Sequence, residues 1–305
     1  MVFARLSERL KKRRHSFRRY KILFEKKYGR VLEKLPPAGR RGLVSVVLPV
    51  FNGEKYLDEA IASVLQQTYD SIELIIVNDG SVDATEEIIL KFKNPQIKYI
   101  RHNENKGLPA ALNTGFAAAG GEYYTWISHD NIMLPDFIRT AAEELEANKA
   151  AAMVYGNMRL IDESGGILRG KGWFEHPPLS GSVILPQSVM QLNDVANNTI
   201  GAAFLYRANA AALLGGYDVR RFGIEDYDYW MRMNEVFDIV HMQCGEPLYL
   251  YRFHSGSLTA GDERLGITRR RPELMDYDRL RRRRLISDKN DGSVRALKAV
   301  LNSLI

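Results

Sequence analysis

Carboxylate and amide side chains follow three short apolar runs of this sequence, at positions where they could bind a ligand. The runs end in Pro49-Val50-Phe51-Asn52, in Asn78-Asp79-Gly80-Ser81-Val82-Asp83 and in Ser128-His129-Asp130-Asn131. A separate acidic pair, Glu225-Asp226, begins a helical pattern further along the chain. Carboxylates of this kind accept hydrogen bonds, bind cations and accept protons, so the four segments are candidates for binding and catalysis.

Apolar β-branched runs that alternate with helical patterns position these segments. The pattern predicts strands over 44–48, 73–77, 97–100 and 123–127, and helices over 54–66, 82–92, 108–119 and 135–148. After about residue 150 it predicts strands over 201–206, 238–242 and 248–251, and helices over 208–214 and 225–234. This alternation is typical of a parallel sheet with helices on both faces. Because ligands of such sheets bind at the carboxyl ends of the strands, we expect the polar strand ends to share one cleft.

Composition excludes several classes of protein. The chain has 305 residues, of which 45% are apolar, and this is enough for a globular core. Its single cysteine, Cys244, cannot form an internal disulfide and fits a reducing compartment. The apolar runs are much shorter than the roughly 18 residues of a membrane-spanning helix, and the basic N-terminus lacks the apolar segment of a signal peptide. We therefore expect a cytoplasmic protein that neither spans a membrane nor is exported.

The charge is unevenly distributed and suggests three parts. Residues 1–42 carry 15 Lys and Arg against 3 Asp and Glu, residues 43–260 carry 16 against 27, and residues 261–305 carry 12 against 7. The formal net charge of the whole chain is +6. We expect a basic amphipathic helical extension over 1–42, a globular domain over 43–260, and a basic, charged, helical tail over 261–305.

Apolar residues recur every seven positions in the N-terminal segment, at Phe3, Leu10, Phe17, Phe24 and Val31. The pattern predicts an amphipathic helix that ends before Pro36-Pro37, because proline disfavours helix at the preceding residue. Three interpretations stay open: peripheral contact with anionic headgroups at the inner face of a membrane, pairing with a partner helix, and packing on the protein's own domain. Nucleic acid is not an expected partner, because the segment lacks an aromatic platform for bases and the following domain is acidic.

The polar segments are part of an ordered set of short motifs. The set includes Val46-Val47-Leu48-Pro49-Val50-Phe51-Asn52, Asn78-Asp79-Gly80-Ser81-Val82-Asp83, Asn105-Lys106-Gly107, Ala111-Leu112-Asn113-Thr114-Gly115, Ser128-His129-Asp130-Asn131, Gly215-Gly216-Tyr217-Asp218, Glu225-Asp226-Tyr227-Asp228-Tyr229-Trp230 and Tyr251-Arg252-Phe253-His254. In this order and spacing, the set resembles the family 2 glycosyltransferases over roughly residues 43–260. The resemblance implies the GT-A fold, an α/β Rossmann-like domain with a mixed, mostly parallel sheet flanked by helices, here with helical N- and C-terminal extensions.

For the donor, the resemblance implies a nucleotide-sugar site at the strand ends. Asp79 would accept hydrogen bonds from the base or ribose, Phe51 would lie against the base, and Pro49 would shape the turn beneath it. An alternative for Asp79 is a turn residue that satisfies its own backbone in Asn-Asp-Gly-Ser. The other residues expected at the donor are Lys106, Ser128, His129 and Asp130.

For a metal, the resemblance implies a cation on the donor diphosphate. Asp130 matches the last aspartate of the family's Asp-X-Asp signature, and Mn²⁺ or Mg²⁺ there would neutralise the charge that the leaving nucleoside diphosphate gains. Ser128 and His129 replace the first aspartate and the middle residue, so one carboxylate remains instead of two. His254, which follows a Tyr-Arg pair, would supply a second ligand, and imidazole suits Mn²⁺ better than Mg²⁺.

For catalysis, the resemblance assigns the base of an inverting transfer to Asp226, with Glu225 orienting the acceptor. The dipole at the start of the predicted helix is expected to lower the pKa of the pair and keep it ionised. The alternative is that both residues are ordinary charges at a helix start.

The resulting hypothesis is an inverting, metal-assisted glycosyltransferase of the hexosyltransferase type. It would move a sugar from a nucleotide diphosphate donor, with a UDP-sugar as the commonest family choice, to a hydroxyl of a cell-envelope glycan or glycolipid in polysaccharide biosynthesis. The alternative is a non-catalytic member that binds a nucleotide sugar or acts as a scaffold. A dinucleotide-dependent oxidoreductase is disfavoured, because no Gly-X-Gly-X-X-Gly follows the first predicted strand.

Overall fold

The computed structural model describes residues 17–169, 181–288 and 292–305. Its helices are α1 (17–28), α2 (Val31–Lys34), α3 (Leu57–Leu65), α4 (Thr85–Lys91), α5 (Leu108–Ala117), α6 (Phe137–Ala147), α7 (Ala208–Leu214), α8 (Glu225–Val236), α9 (Asp262–Leu265), α10 (Ile267–Ile286) and α11 (Arg295–Ser303). Its strands are β1 (Arg40–Val50), β2 (Ile72–Asn78), β3 (Ile97–Arg101), β4 (Gly121–Trp126), β5 (Ile132–Met133), β6 (Ala151–Tyr155), β7 (Met158–Ile161), β8 (Ser182–Val183), β9 (Phe204–Arg207), β10 (Asp238–His241) and β11 (Tyr249–Arg252). From β1 to α6, each predicted strand and helix overlaps an observed one.

A seven-stranded sheet in the order β10-β6-β9-β4-β1-β2-β3 forms the centre of the protein. β1 pairs in parallel with β2 and β4, and β2 pairs in parallel with β3. β9 runs antiparallel to both β4 and β6. Every residue of β2 is buried, as expected for a strand covered on both faces. The prediction of an α/β fold with a mixed, mostly parallel sheet is confirmed.

A smaller sheet in the order β5-β11-β7-β8 carries part of the candidate site. β11 pairs antiparallel with β5 and parallel with β7. Because Leu250 of β11 lies opposite Ile132 of β5, the residues after β11 return to the segment that precedes β5. The sequence pattern does not predict β5 or β8, because strands of two residues are too short to show a period. It also misses β6 and β7.

Helix α1 packs on the protein's own domain. Its four aromatic residues are buried in the same hydrophobic core as the sheet: Phe17, Tyr20, Phe24 and Tyr28. The Tyr20 hydroxyl donates to the carbonyl of Glu235 at the end of α8, and the Tyr28 hydroxyl donates to the carbonyl of Leu285 in α10. Of the three interpretations of the N-terminal segment, packing on its own domain describes this face of 17–28. Phe3 and Leu10 lie outside the described residues.

The helical part of the N-terminal segment ends before the predicted position. α1 ends at residue 28, and Gly29 follows with a left-handed φ of +71°. The chain then forms the short helix α2, whose first residue, Val31, is buried. Within the described ranges, no helix combines the length and the apolar character needed to cross a bilayer.

Helix α10 attaches the C-terminal part of the chain to α8 through buried charges. Nε of Arg281 lies 2.8 Å from Oε2 of Glu235 in α8, and within α10 itself Nε of Arg282 lies 2.7 Å from Oδ2 of Asp278. All four side chains are buried, so the removal of one partner would leave an unpaired buried charge. The tail is helical, as predicted, and it contributes to the folded core. The domain bounds at residues 42 and 260 stay a prediction.

Candidate active site

Asp130 and His254 lie side by side at the centre of the candidate donor site. Nε2 of His254 is 3.0 Å from Oδ2 of Asp130, and the two side chains are only 14% and 12% exposed. The ring of His254 packs against the ring of Tyr56, with centroids 5.1 Å apart. The backbone N–H of Gly256 donates to Nδ1 of His254 at 3.2 Å. These contacts fix the imidazole next to the carboxylate.

Arg252 holds the segment that contains Asp130. Its Nε donates to the carbonyl of Asp130 at 2.9 Å, and its backbone N–H donates to Oδ1 of Asn131 at 2.9 Å. Its Nη2 forms an ion pair with Glu59 of α3, and its guanidinium lies over the ring of Tyr56, 4.5 Å from the centroid. Because Arg252 is only 2% exposed, it positions neighbouring groups and is not available to bind a ligand directly.

Ser128 and His129 occupy the two positions before Asp130. The carbonyl of Ser128 accepts the backbone N–H of Asn131 at 3.2 Å and closes a turn. The ring of His129 packs on the β1–α3 loop, where a Cβ added at Gly53 would lie 2.8 Å from Cδ2 of His129. Burial lowers the pKa of His129, so its ring is neutral at pH 7. Neither residue replaces the missing carboxylate.

Asp79 lies at the end of β2 and is only 3% exposed. Its Oδ1 accepts the backbone N–H of Lys106 at 3.0 Å and lies 2.6 Å from Nδ1 of His102. Its Oδ2 accepts the backbone N–H of Gly107 at 2.8 Å. Nε2 of His102 lies 3.0 Å from Oγ1 of Thr114 in α5. Asp79 thus anchors the loop before α5, whereas within its own turn it is Oδ1 of Asn78 that accepts the backbone N–H of Ser81, at 2.9 Å. The contact of Asp79 with a nucleoside stays a prediction.

The other residues expected at the donor differ in exposure. Pro49 is buried within β1, whereas Phe51 is 42% exposed and the side chain of Lys106 is also exposed. Asn52 has a left-handed φ of 50°, and its Oδ1 accepts the backbone N–H of Val82 at 3.0 Å. The loops after β1 and β2 are therefore joined next to the exposed ring of Phe51.

Glu225 and Asp226 begin α8, as predicted. Oδ2 of Asp226 accepts the side-chain amide of Asn198 at 2.8 Å, and Oδ1 accepts the backbone N–H of Tyr227 at 2.6 Å. Glu225 is only 4% exposed, and its carboxylate accepts the backbone N–H of Gly223. Asp226 is partly exposed, so it is the carboxylate of the pair that solvent can reach.

The pKa values of this pair are raised, whereas the helix dipole led us to expect lowered values. Burial raises the pKa of Asp226. Burial, followed by the charge of Asp226, raises the pKa of Glu225. Lost hydration outweighs the dipole, which contributes only about 0.3–1 kcal/mol at a helix end. A carboxylate with a raised pKa is a better general base near neutral pH than an ordinary one.

A loop contact connects the donor side with the acidic pair. A Cβ added at Gly107, in the loop that Asp79 anchors, would lie 3.7 Å from Cδ2 of Phe222. Phe222 is in the turn that leads into α8. In the part of the chain that the structure describes, no hydrogen bond or ion pair joins Asp130 to Asp226. The predicted site residues thus lie in three groups: the pair of Asp130 and His254, the loop that Asp79 anchors, and the acidic pair of Glu225 and Asp226.

Sequence reasoning missed the side chains that hold these groups: Tyr56, Glu59, His102 and Asn198. Asn198 is 28 positions from Asp226, and His102 is 23 positions from Asp79. No local period or spacing connects such residues. Among these four residues, only Tyr56 could have been found from the sequence, because it closely follows the motif at the end of β1.

The pair of Asp130 and His254 fits a cation that the phosphates of a donor also bind. One carboxylate and one imidazole provide two ligands, and phosphate and water oxygens complete the shell of Mn²⁺ or Mg²⁺. Within the described ranges, no group of three or more His, Cys, Asp or Glu side chains is arranged to hold a metal. Asp130 and His254 alone would therefore supply the protein ligands of such a cation.

Comparison with known proteins identifies the family. The family model described as Glycosyl transferase family 2 matches residues 45–211 of this chain. These residues are more than half of the chain and include Asp79 and Asp130. The chain belongs to glycosyltransferase family 2. Asp226 and His254 follow the matched residues.

Curated relatives of this family 2 protein are longer than the chain itself. An uncharacterized glycosyltransferase of Rickettsia felis is 34% identical over 224 residues, which are 70% of this chain and 34% of the relative. Glycosyltransferase GlyA of Streptococcus pneumoniae is 30% identical over 227 residues, which are 71% of this chain and 31% of the relative. The chain therefore spans about a third of the length of these two relatives.

Solved structures share the fold of this family 2 protein. Staphylococcus aureus TarS 1–349 in complex with UDP has a TM-score of 0.58 at 18% identity, over 86% of this chain and 69% of that one. Mannosyltransferase PcManGT from Pyrobaculum calidifontis, in complex with GDP-Man and Mn²⁺, has a TM-score of 0.56 at 15% identity, over 98% of this chain and 80% of that one. Likeness at these identities shows the fold alone, and the predicted GT-A fold is confirmed.

Proposed function

We propose that the chain transfers a sugar from a nucleotide diphosphate donor to an acceptor hydroxyl, with inversion at the anomeric carbon. The observation that carries the proposal is the environment of Asp226. This carboxylate is partly exposed at the start of α8, is oriented by Asn198, and has a pKa raised by burial. A fixed carboxylate of this kind is suited to remove a proton from an attacking hydroxyl.

In the proposed reaction, Asp226 accepts the proton of the acceptor hydroxyl as that oxygen attacks the anomeric carbon. The hydrogen bonds from Asn198 and Tyr227 hold one oxygen each, so the carboxylate keeps one orientation. We propose a supporting role for Glu225 in place of contact with the acceptor. Its low exposure and its bond from Gly223 suit a residue that fixes the turn before the base.

The proposed donor is a uridine diphosphate sugar. TarS, which has the same fold, is solved with UDP and with UDP-GlcNAc, and PcManGT is solved with GDP-Man. The exposed ring of Phe51 offers a surface for the base, and Lys106 offers a cation near the loop that Asp79 anchors. A guanosine donor is the second candidate.

Asp130 and His254 are the proposed residues that hold Mn²⁺ or Mg²⁺ on the donor diphosphate. The bound cation would neutralise the negative charge of the leaving nucleoside diphosphate. Arg252 keeps the backbone of Asp130 in place through its bond to the carbonyl, so the carboxylate stays beside the imidazole.

The test is titration calorimetry of UDP into wild type and Asp130→Ala, each with and without Mn²⁺. We expect binding that depends on Mn²⁺ in the wild type and is lost in the variant. Asp58→Asn, which changes an exposed carboxylate of α3, is the matched control and should bind like wild type. Absence of UDP binding by the wild type would reject the uridine donor, and the same titration with GDP would decide between another nucleotide and no nucleotide.

A second assay separates catalysis from simple binding. Wild type that binds UDP is incubated with UDP-GlcNAc and Mn²⁺, and release of UDP is followed with and without sugar acceptors. Release of UDP that increases with a sugar acceptor would support the proposed transferase activity. Tight binding without any release of UDP over a panel of donors would favour the alternative of a non-catalytic nucleotide-sugar-binding or scaffolding protein.

We also propose that the acceptor is a cell-envelope glycan or glycolipid reached at the inner face of a membrane. The outward face of α1 exposes Ile22 and Leu23 between basic residues, with Arg18 and Arg19 before them and Lys26 after them. Basic side chains near an anionic surface contribute about 1 kcal/mol each.

The membrane proposal is tested by sedimentation with vesicles of phosphatidylglycerol and phosphatidylcholine. We expect Arg18→Gln combined with Arg19→Gln to reduce the bound fraction, and vesicles of phosphatidylcholine alone to bind little of either protein. Equal binding of wild type and the double variant to anionic vesicles would reject this face as the contact.

A further inference from the structure

The first turns of α10 lie against the turn that precedes the acidic pair. A Cβ added at Gly223 would lie 3.4 Å from Cγ1 of Ile267, so the first residue of α10 packs directly on that turn. Nη1 of Arg270 donates to the carbonyl of Phe222 at 2.7 Å. A segment beyond the residues matched by the family description therefore borders the proposed base.

The next residue of α10, Arg271, extends toward the loop that orients Asp226. Nη1 of Arg271 donates to Oδ1 of Asn197 in a long hydrogen bond of 3.4 Å. The neighbouring residue, Asn198, donates to Oδ2 of Asp226. Asn197 and Asn198, which are adjacent in one loop, thus form hydrogen bonds with the guanidinium of Arg271 and with the proposed base, respectively. The positive charge of Arg271 partly opposes the raised pKa that burial gives Asp226, which is consistent with their closeness.

The guanidinium of Arg271 has fewer partners than those of two nearby arginines, Arg220 and Arg270. Arg220 makes a two-pronged contact with Asp218, at 2.9 and 2.8 Å. The guanidinium of Arg270 is used by the carbonyls of Phe222 and Arg220. Arg271 is partly exposed and, in the described part of the chain, has no carboxylate within ion-pair distance. Its fork of N–H groups is available for a planar or tetrahedral anion.

We propose that Arg271 is an acceptor-binding residue, and that it selects acceptors with a phosphate or carboxylate group close to the hydroxyl that attacks. This inference rests on the proposed function, because it places the acceptor next to Asp226. An anion there would exchange the long bond to Asn197 for charge-assisted bonds, which are shorter and stronger. The cation is carried by α10, so the C-terminal part of the chain would set acceptor specificity while the strand ends bind the donor.

The experiment is calorimetry on the full chain with its donor site saturated by UDP and Mn²⁺. Three probes are titrated: N-acetylglucosamine 6-phosphate, glucuronic acid and neutral N-acetylglucosamine. We expect wild type to bind at least one anionic sugar about tenfold or more tightly than the neutral one. The two anionic probes show whether phosphate or carboxylate is preferred. Equal affinity for all three sugars, or binding of none, would overturn the proposal.

Variants then assign the preference to the side chain. Arg271→Gln should lower the affinity for the preferred anionic sugar about tenfold, leave UDP affinity and the melting temperature unchanged, and remove the preference over the neutral sugar. Arg271→Lys should restore part of the preference, because it keeps the charge but not the fork. A preference that survives in Arg271→Gln would overturn the proposal.

Arg283→Gln is the matched control. Arg283 is exposed on the same helix, about 18 Å further along its axis at 1.5 Å per residue, so its loss removes the same charge away from the acidic pair. The control should bind all three sugars like wild type. Absence of UDP binding by wild type would instead reject the proposed donor and with it this inference, whereas normal UDP binding without sugar selectivity rejects the inference alone.

Discussion

Nε2 of His254 lies 3.0 Å from Oδ2 of Asp130, although 124 positions separate the two residues in the chain. The pairing of β11 with β5 produces this contact, because it returns the residues after β11 to the segment before β5. One carboxylate and one imidazole form a softer donor set than two carboxylates, and this difference leads to a prediction about the choice of metal.

We expect wild type to bind UDP more tightly with Mn²⁺ than with Mg²⁺, because imidazole is a poor ligand for Mg²⁺. His254→Asp should reduce or reverse this preference while binding of the nucleotide persists. The measurement is UDP calorimetry with each metal, and Asp58→Asn serves as the control. An unchanged ratio of the two affinities in His254→Asp would exclude His254 as a ligand.

Asp226→Asn should reduce the rate of sugar transfer about 10²–10⁴-fold, the usual contribution of a general base. UDP affinity should stay within about twofold of wild type, since this residue has no part in the proposed donor site. Asp276→Asn, at an exposed carboxylate of α10, is the control. In wild type, the rate should rise with pH through the raised pKa of Asp226, because only the ionised form accepts a proton. A variant as active as wild type would require another base.

Glu225→Gln should stabilise the protein at alkaline pH. The pKa of Glu225 is raised in the folded state, so the folded chain binds more protons than the unfolded chain between the ordinary glutamate pKa and the raised value. Stability contributed by this group is therefore present at low pH and is lost as pH rises. Thermal melts should show little difference between the proteins at pH 4 and a higher melting temperature for the variant at pH 8, by roughly 2–4 °C for each kcal/mol. Equal melting temperatures at both pH values would contradict the raised pKa.

Arg252→Leu should lower the free energy of unfolding by roughly 2–4 kcal/mol, chiefly because buried carbonyls lose their donor. The partner in the ion pair offers a control. Glu59 is 59% exposed, so Glu59→Gln should cost less than about 1 kcal/mol. Urea unfolding at pH 7 measures the free energy of unfolding of both variants. If the two variants lose similar amounts, Arg252 stabilises the protein through the ion pair and not through its bonds to the carbonyls.

Two residues of α1 should differ sharply in their effect on stability. Phe24 is 2% exposed in the core, so Phe24→Ala should cost about 3–5 kcal/mol. Ile22 is 60% exposed on the opposite face, and Ile22→Ala should cost less than about 0.5 kcal/mol. Urea unfolding compares the two. A small loss for Phe24→Ala would show that α1 is not part of the stable fold in solution.

Much of the fold can be predicted from the sequence because its central elements have strong local patterns. β2 contains the apolar run Leu74-Ile75-Ile76-Val77, which is rich in β-branched residues, and α7 has the bounds that its apolar pattern and the glycines after it indicate. The edge of the second sheet has no such signal, since β5 and β8 contain two residues each. Those strands form only because β11 and β7 are there to pair with them.

For the candidate site, the sequence by itself determined which residue types stand at the strand ends and at the start of α8, because turn chemistry and helix starts depend on near neighbours in the chain. Tertiary structure decided what surrounds them. It joined His254 to Asp130, bonded Asp79 to the loop before α5 and placed α10 beside Asp226. It also reversed the expected pKa shift of Asp226, since hydration is lost to groups that are distant in sequence and meet only in the folded chain.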